Sequence, residues 1–140
     1  MGSIPFNRAV LAGEELAYLR RAIDGMHIAG SGAFTKACEA RLESVLGCRR
    51  ALLTTSCTHA LEMAAILLEV GAGDEVILPS FTFVSNANAF VLRGARPVFV
   101  DVRPDTLNLD ETRIEAALTP RTRAIVVVHY AGFPCRMDEI

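Results

Sequence analysis

The sequence predicts an α/β layer, a mostly parallel sheet covered by helices. Four short apolar runs, at 51–55, 75–79, 97–102 and 123–129, lack the polar alternation of a sheet with one wet face, so they read as strands buried on both faces. Segments with a helical pattern separate them, at 57–70, 84–93 and 110–118. Small polar and glycine-rich turns, such as Ser56-Cys57-Thr58 and Gly71-Ala72-Gly73-Asp74, punctuate the joints. The resulting β-α-β-α-β-α-β order points to a doubly wound sheet built with right-handed crossovers.

Two stretches precede this alternation. Residues 1–11 read as an extended leading arm that Pro5 and Phe6 could anchor. From Glu14 to Ile23 the pattern is helical, with Leu16, Leu19 and Ile23 on one face, Arg20 and Arg21 outside, and Gly25 as its end. Gly30-Ser31-Gly32 makes a flexible turn. Thr35 to Leu46 forms a second amphipathic helix, with Cys38, Leu42, Val45 and Leu46 expected to face inward and Gly47 as a stop signal. The organisation read here is an arm with helices over 1–49, then the first part of an α/β domain over 50–140. The last seven residues look like the first turn of a helix, so the chain reads as part of a longer protein.

The 140 residues suit one core, and the composition, 51% hydrophobic and 21% charged, is that of a globular domain. A net charge of −2 and scattered arginines argue against a nucleic-acid surface. No apolar run has the length of a membrane span, and no basic region followed by an apolar core opens the chain; a cytoplasmic protein is expected. Cys38, Cys48, Cys57 and Cys135 form no CxxC pair, and His27, His59 and His129 are not placed beside them at metal spacing. Reduced thiols and no metal site are expected. Lys36 is the only lysine in the chain.

The chemistry concentrates between Ala51 and Asn88. A strand that ends in Ser/Thr at the start of a helix brings free backbone N–H groups, hydroxyls and the positive helix end together, a combination that binds phosphate. The strand ending at Pro79 leads into Ser80-Phe81-Thr82-Phe83 and so sets two aromatics beyond its carboxyl end, the edge where open parallel sheets hold ligands. A phosphate cup beside an aromatic face suits a flat phosphorylated ring.

These residues resemble the DegT/DnrJ/EryC1/StrS family of sugar-nucleotide aminotransferases, pyridoxal-phosphate enzymes of fold type I. The resemblance runs through IPFN at 4–7, GSGAFTKACEARL at 30–42, SCTHALEMAA at 56–65, the long block GDEVILPSFTFVSNANAFVLRGARPVFVDVRPDTLNLD at 73–110, and VHYAGFPCRMDEI at 128–140. Within the family it looks most like the branch that aminates dTDP-4-oxo-6-deoxyglucose at carbon 4. The resemblance implies the N-terminal part of a fold type I large domain with pyridoxal 5'-phosphate as cofactor. Ser56, Cys57 and Thr58 would hold its phosphate and Phe83 would stack on its ring, while Phe81 packs. Gly30, Ser31, Gly32 and Asn86 would lie near the substrate, with Asn88 beside Asn86 as a cap or contact. It further implies a nucleotide-sugar substrate, an amino donor such as glutamate, and a homodimer. The Schiff-base lysine and the carboxylate facing the pyridine nitrogen would fall beyond residue 140, so no catalytic residue is expected within this chain, and Lys36 does not match the lysine position.

Plainer readings stand beside these. Ser56 or Thr58 could be an ordinary helix cap. Cys57 at a helix start could be an acidified thiol, but His59, two residues on, would not face it. Asp101 reads as a structural turn residue, and His129 as either a residue just outside the site or a hydrogen-bonded core histidine. Two other functions remain open: a dehydratase of the same family, with histidine in place of the lysine, and a non-catalytic α/β binding module, which the absence of GxGxxG or GxxxxGK[ST] at a strand end disfavours.

Overall fold

A computed structural model describes residues 3–5 and 7–140. The chain divides into two compact units, residues 1–53 and 54–140, each taken by itself below. Among the described residues no helix is long and apolar enough to cross a membrane.

The first unit carries α1 (Glu15–Asp24) and α2 (Ala33–Leu46). Gly25 closes α1, its N–H donating to Arg21 O at 3.1 Å, while Met26 N–H donates to Ile23 O at 2.9 Å. Gly47 closes α2 in the left-handed conformation at φ 62°, which glycine adopts without steric cost. Tyr18 and Phe34 meet edge to face at 5.5 Å, with the Arg21 guanidinium over both rings. The inward face expected for α2 is not buried: Cys38, Leu42, Val45 and Leu46 are all exposed, as are Leu16, Leu19 and Ile23 of α1. The amphipathic pattern is present, but among the described residues no further layer covers it. Pro5 is likewise exposed, and Phe6 lies outside the described residues.

The strand expected at 51–55 does not form. A strand exists only where a neighbour completes its ladder, and this stretch has none among the described residues. Its amides turn instead to side chains of α2: Ala51 N–H donates to Glu43 Oε1 at 3.2 Å and Leu53 N–H to Glu39 Oε1 at 3.0 Å.

The second unit is a three-stranded parallel sheet in the order β2-β1-β3. The strands are β1 (Glu75–Pro79), β2 (Arg96–Val100) and β3 (Thr122–Ile125). Expected strand 75–79 forms at those bounds and is buried throughout. The run expected to reach 129 leaves the sheet after Ile125, though Val126 N–H still donates to Ile77 O at 2.8 Å. The strand expected over 97–102 ends at Val100, and Val102 pairs only with Leu109 in an isolated antiparallel bridge.

Side chains alternate along β1, so its two faces carry different cores. Val76 joins Ala65, Val70, Ala89, Phe90 and Ala95 under α3 (Cys57–Leu67) and α4 (Ser85–Val91). Ile77 joins Val100, Leu109 and Ile114 on the face covered by α5 (Ile114–Ala117). Helices therefore lie on both faces, as a doubly wound sheet requires. The helix expected over 57–70 stops at Leu67, where Glu69 takes a left-handed φ of 55° and Val70 N–H reaches back to Ala65 O. The helix expected over 110–118 is shorter: a 3-10 turn, Glu111–Arg113, capped by the Asp110 carboxylate on Thr112 N–H, leads into α5.

Candidate functional site

The starts of α3 and α4 and the exit of β1 all lie toward the carboxyl edge of the sheet. α4 begins six residues after β1 ends and finishes beside Gly94, whose Cα hydrogen position lies against Ala72, just before β1 starts. It therefore runs from the carboxyl edge to the amino edge. The end of α3 is held at that same amino edge by Arg123 of β3, which donates to Leu68 O from Nε at 3.1 Å and Nη2 at 3.0 Å. α3 has 11 residues and is about 16 Å long. Packed beside α4, it directs its start toward the carboxyl edge, where β1 exits into Phe81-Thr82-Phe83.

Ser56 is the N-cap of α3. Its backbone is extended, and its hydroxyl oxygen accepts from His59 N–H at 3.2 Å. The Ser56 carbonyl is held from both sides, by Ala60 N–H at 3.2 Å and by the Thr54 hydroxyl at 2.8 Å. His59 Nδ1 pairs with the Thr55 hydroxyl, so the His59 ring turns back onto the turn before the helix and not toward Cys57. Among the described residues, the N–H groups of Cys57 and Thr58 meet no acceptor, and neither does the Thr58 hydroxyl meet a partner. The first turn of α3 contains no acidic residue.

The donor set thus comprises two backbone N–H groups at a positive helix end, the Thr58 hydroxyl and the Ser56 hydroxyl proton that its cap bond leaves over. A phosphate dianion brings only acceptors, so these residues fit it. The cap reading of Ser56 and the phosphate reading are compatible, because capping uses its oxygen and not its proton.

Phe81 and Phe83 separate in role. Phe81 packs on Tyr130 with ring centroids 5.2 Å apart, whereas Phe83 is 73% exposed and presents a free ring. Asn86, in the first turn of α4, donates its side-chain amide to the Thr82 hydroxyl. Asn88 is exposed. Gly30, Ser31 and Gly32 belong to the first unit: Ser31 adopts a left-handed φ of 59°, and Gly32 is the N-cap of α2, where a Cβ would stand 3.4 Å from the His27 ring. Lys36 is exposed on α2. Asp101 pairs with Arg113 at 3.3 Å on the surface. His129 Nδ1 accepts from Cys135 N–H at 3.0 Å, which places its remaining ring proton on Nε2.

Sequence reasoning missed the buried polar groups, Asn108 and Glu75 foremost among them. Asn108 is 2% exposed and its amide makes two long-range bonds, accepting from Tyr130 N–H at 2.9 Å and donating to Phe133 O at 3.0 Å. Its only sequence signal is a polar residue between Leu107 and Leu109. Glu75, at the amino edge, binds Arg96, Thr119 and Arg121. Its partners are 21 to 46 residues away, so no local pattern marks it.

The sequence model of the DegT/DnrJ/EryC1/StrS aminotransferase family matches residues 10–140. Solved structures with similar folds are named as aminotransferases. TlmJ from Streptoalloteichus hindustanus is 42% identical over 94% of this chain, with a TM-score of 0.83. An aminotransferase from Psychrobacter cryohalolentis is 34% identical over 96% of the chain, with a TM-score of 0.89. Spr1654 from Streptococcus pneumoniae, described as a sugar aminotransferase and solved in PLP and PMP forms, is 33% identical over 97% of the chain, with a TM-score of 0.87. The matched region covers 36%, 35% and 34% of those three chains, so this chain spans about a third of their length.

Proposed function

Because the chain belongs to the DegT/DnrJ/EryC1/StrS aminotransferase family, we propose that its protein transfers an amino group, with glutamate as donor, to a nucleotide-linked 4-keto-6-deoxy sugar, using pyridoxal 5'-phosphate. The observation that carries this reading is the free donor set of α3 sharing one sheet edge with the exposed Phe83 ring. When bound, the cofactor supplies an electron sink for proton removal beside nitrogen.

The chain's own residues bind and orient. The Cys57 and Thr58 amides and the Thr58 and Ser56 hydroxyls hold the phosphate, fixing one end of a rigid molecule. Phe83 covers one ring face, restricting its tilt and excluding water from that side. Asn86 offers a polar contact to the sugar, and Gly30, Ser31 and Gly32 are assigned to the substrate on the family resemblance alone. The proton-moving lysine is assigned outside these 140 residues, because Lys36 is a surface residue of α2. Residues 1–140 alone are accordingly expected not to turn over. The exposed apolar faces of α1 and α2 support a homodimer.

The test is direct. The full-length protein, given dTDP-4-oxo-6-deoxyglucose and glutamate, is expected to form 2-oxoglutarate and a sugar nucleotide in which an amine replaces the carbonyl oxygen at carbon 4, read by mass spectrometry. Donor turnover without amination of any 4-keto sugar nucleotide would contradict the substrate class. Loss of water from the sugar with no amine gained would favour the dehydratase.

A further inference from the structure

The turn that leaves β3 is built to a degree its length does not require. It runs from Val128 to Cys135, with Ala131 and Gly132 both left-handed at φ 51° and 85°. Left-handed alanine costs about 1 kcal/mol or more and persists only where surroundings impose it. The surroundings here are specific. The Asn108 amide spans the turn from Tyr130 N–H to Phe133 O. His129 Nδ1 takes Cys135 N–H, and Cys135 Sγ–H donates to Val128 O at 3.2 Å. Asn108 is itself fixed: Arg103 N–H donates to its carbonyl at 2.8 Å, and Leu109 is held in the bridge to Val102. The turn's outward contribution is Tyr130, whose ring lies on Phe81. Phe81 is two residues from Phe83, in the loop that leaves β1.

We propose that Asn108 is a positioning residue for the cofactor ring: it locks the turn after β3, the turn sets Tyr130 against Phe81, and that contact fixes the loop from which Phe83 projects. The inference rests on the assignment of Phe83 to the ring face. A polar side chain this deep is costly unless both ends of its amide are paired, and Asn108 spends both ends on one turn. Its product is the orientation of an aromatic pair at the carboxyl edge, not the strength of the core, since Leu109 and Ile114 already fill that face.

The experiment measures the affinity of the full-length protein for pyridoxamine phosphate by equilibrium titration, reading circular dichroism of the bound chromophore. Asn108→Ala and Tyr130→Ala are each expected to weaken binding by about tenfold, and the double variant by no more than either alone, because both break one path. Phe83→Ala is the control. If it weakens binding while Asn108→Ala and Tyr130→Ala leave affinity unchanged in folded protein, the positioning role is overturned and the ring-face assignment stands. If Phe83→Ala changes nothing, both fall. Additive losses in the double variant would also overturn the proposal, since two independent sites add. Should Asn108→Ala not fold, Tyr130→Ala alone decides, because its ring is only half-buried and its loss leaves the turn's hydrogen bonds in place.

Discussion

Replacing Glu75 with alanine is expected to lower the thermal midpoint by on the order of 10 °C, the largest stability loss of any single charged residue in the second unit. Glu75 opens the central strand and is 1% exposed. Its carboxylate accepts from Arg96 Nη2 at 2.6 Å, the Thr119 hydroxyl at 2.7 Å and Arg121 Nε at 2.8 Å. In the sheet it stands opposite Arg96 of β2 and Thr122 of β3, so one side chain ties the starts of all three strands. Both guanidiniums are largely exposed and turn to water when the carboxylate is lost, which limits the damage.

The same cluster predicts a pH dependence. The hydrogen bond from Arg96, then those from Thr119 and Arg121, hold the Glu75 carboxyl at a pKa of about 2, below its ordinary 4.5. A depressed folded-state value means that the unfolded chain takes up the proton first. The contribution is therefore complete above pH 4.5 and is lost as pH falls toward 2. Thermal midpoints measured by circular dichroism should fall steeply through that window in the wild type and less steeply in Glu75→Gln, which carries no proton to gain there. Equal slopes would contradict the assignment.

Phe83→Ala is expected to weaken cofactor affinity by about tenfold to a hundredfold, from the loss of stacking on a flat ring. Because Phe83 is exposed, the unfolding free energy of the unliganded protein should stay within about 0.5 kcal/mol of wild type. Phe83→Tyr keeps the ring and should restore most of the affinity. A core role would show the opposite pattern: lost stability with cofactor affinity intact. Titration and urea denaturation of the same preparations separate the two.

How much of this was legible in the sequence depends on where each residue's partners lie. β1 reads correctly from 75–79 because a continuous apolar run bounded by Gly73-Asp74 and Pro79-Ser80 needs no distant information. The start of α3 reads equally well, since Ser56 caps its own helix within three residues. Residues 51–55 have the same β-branched and leucine character as a strand, yet strand formation is decided by a neighbour, and here Glu39 and Glu43 take the amides. The apolar stripes of α1 and α2 are visible as stripes, but burial depends on what packs against them. The donors at the start of α3 lie within a few residues of one another, which is why the sequence alone draws attention to them. Asn108 and Glu75 act across 21 to 46 residues and look in sequence like ordinary loop and turn positions. Phe81 and Phe83 are told apart in sequence only by resemblance, while in the structure Tyr130 distinguishes them.

The central claim is that the start of α3 holds the cofactor phosphate. Pyridoxamine phosphate is the probe that isolates this, because it binds without a Schiff base and so reports only phosphate and ring contacts. Equilibrium titration of Thr58→Ala in the full-length protein is predicted to show affinity about 10- to 100-fold weaker than wild type, the loss expected for a hydrogen bond to a charged group worth about 1.5–3 kcal/mol. An unchanged dissociation constant, in a variant whose unfolding midpoint matches wild type, would contradict the placement of the cofactor at this helix.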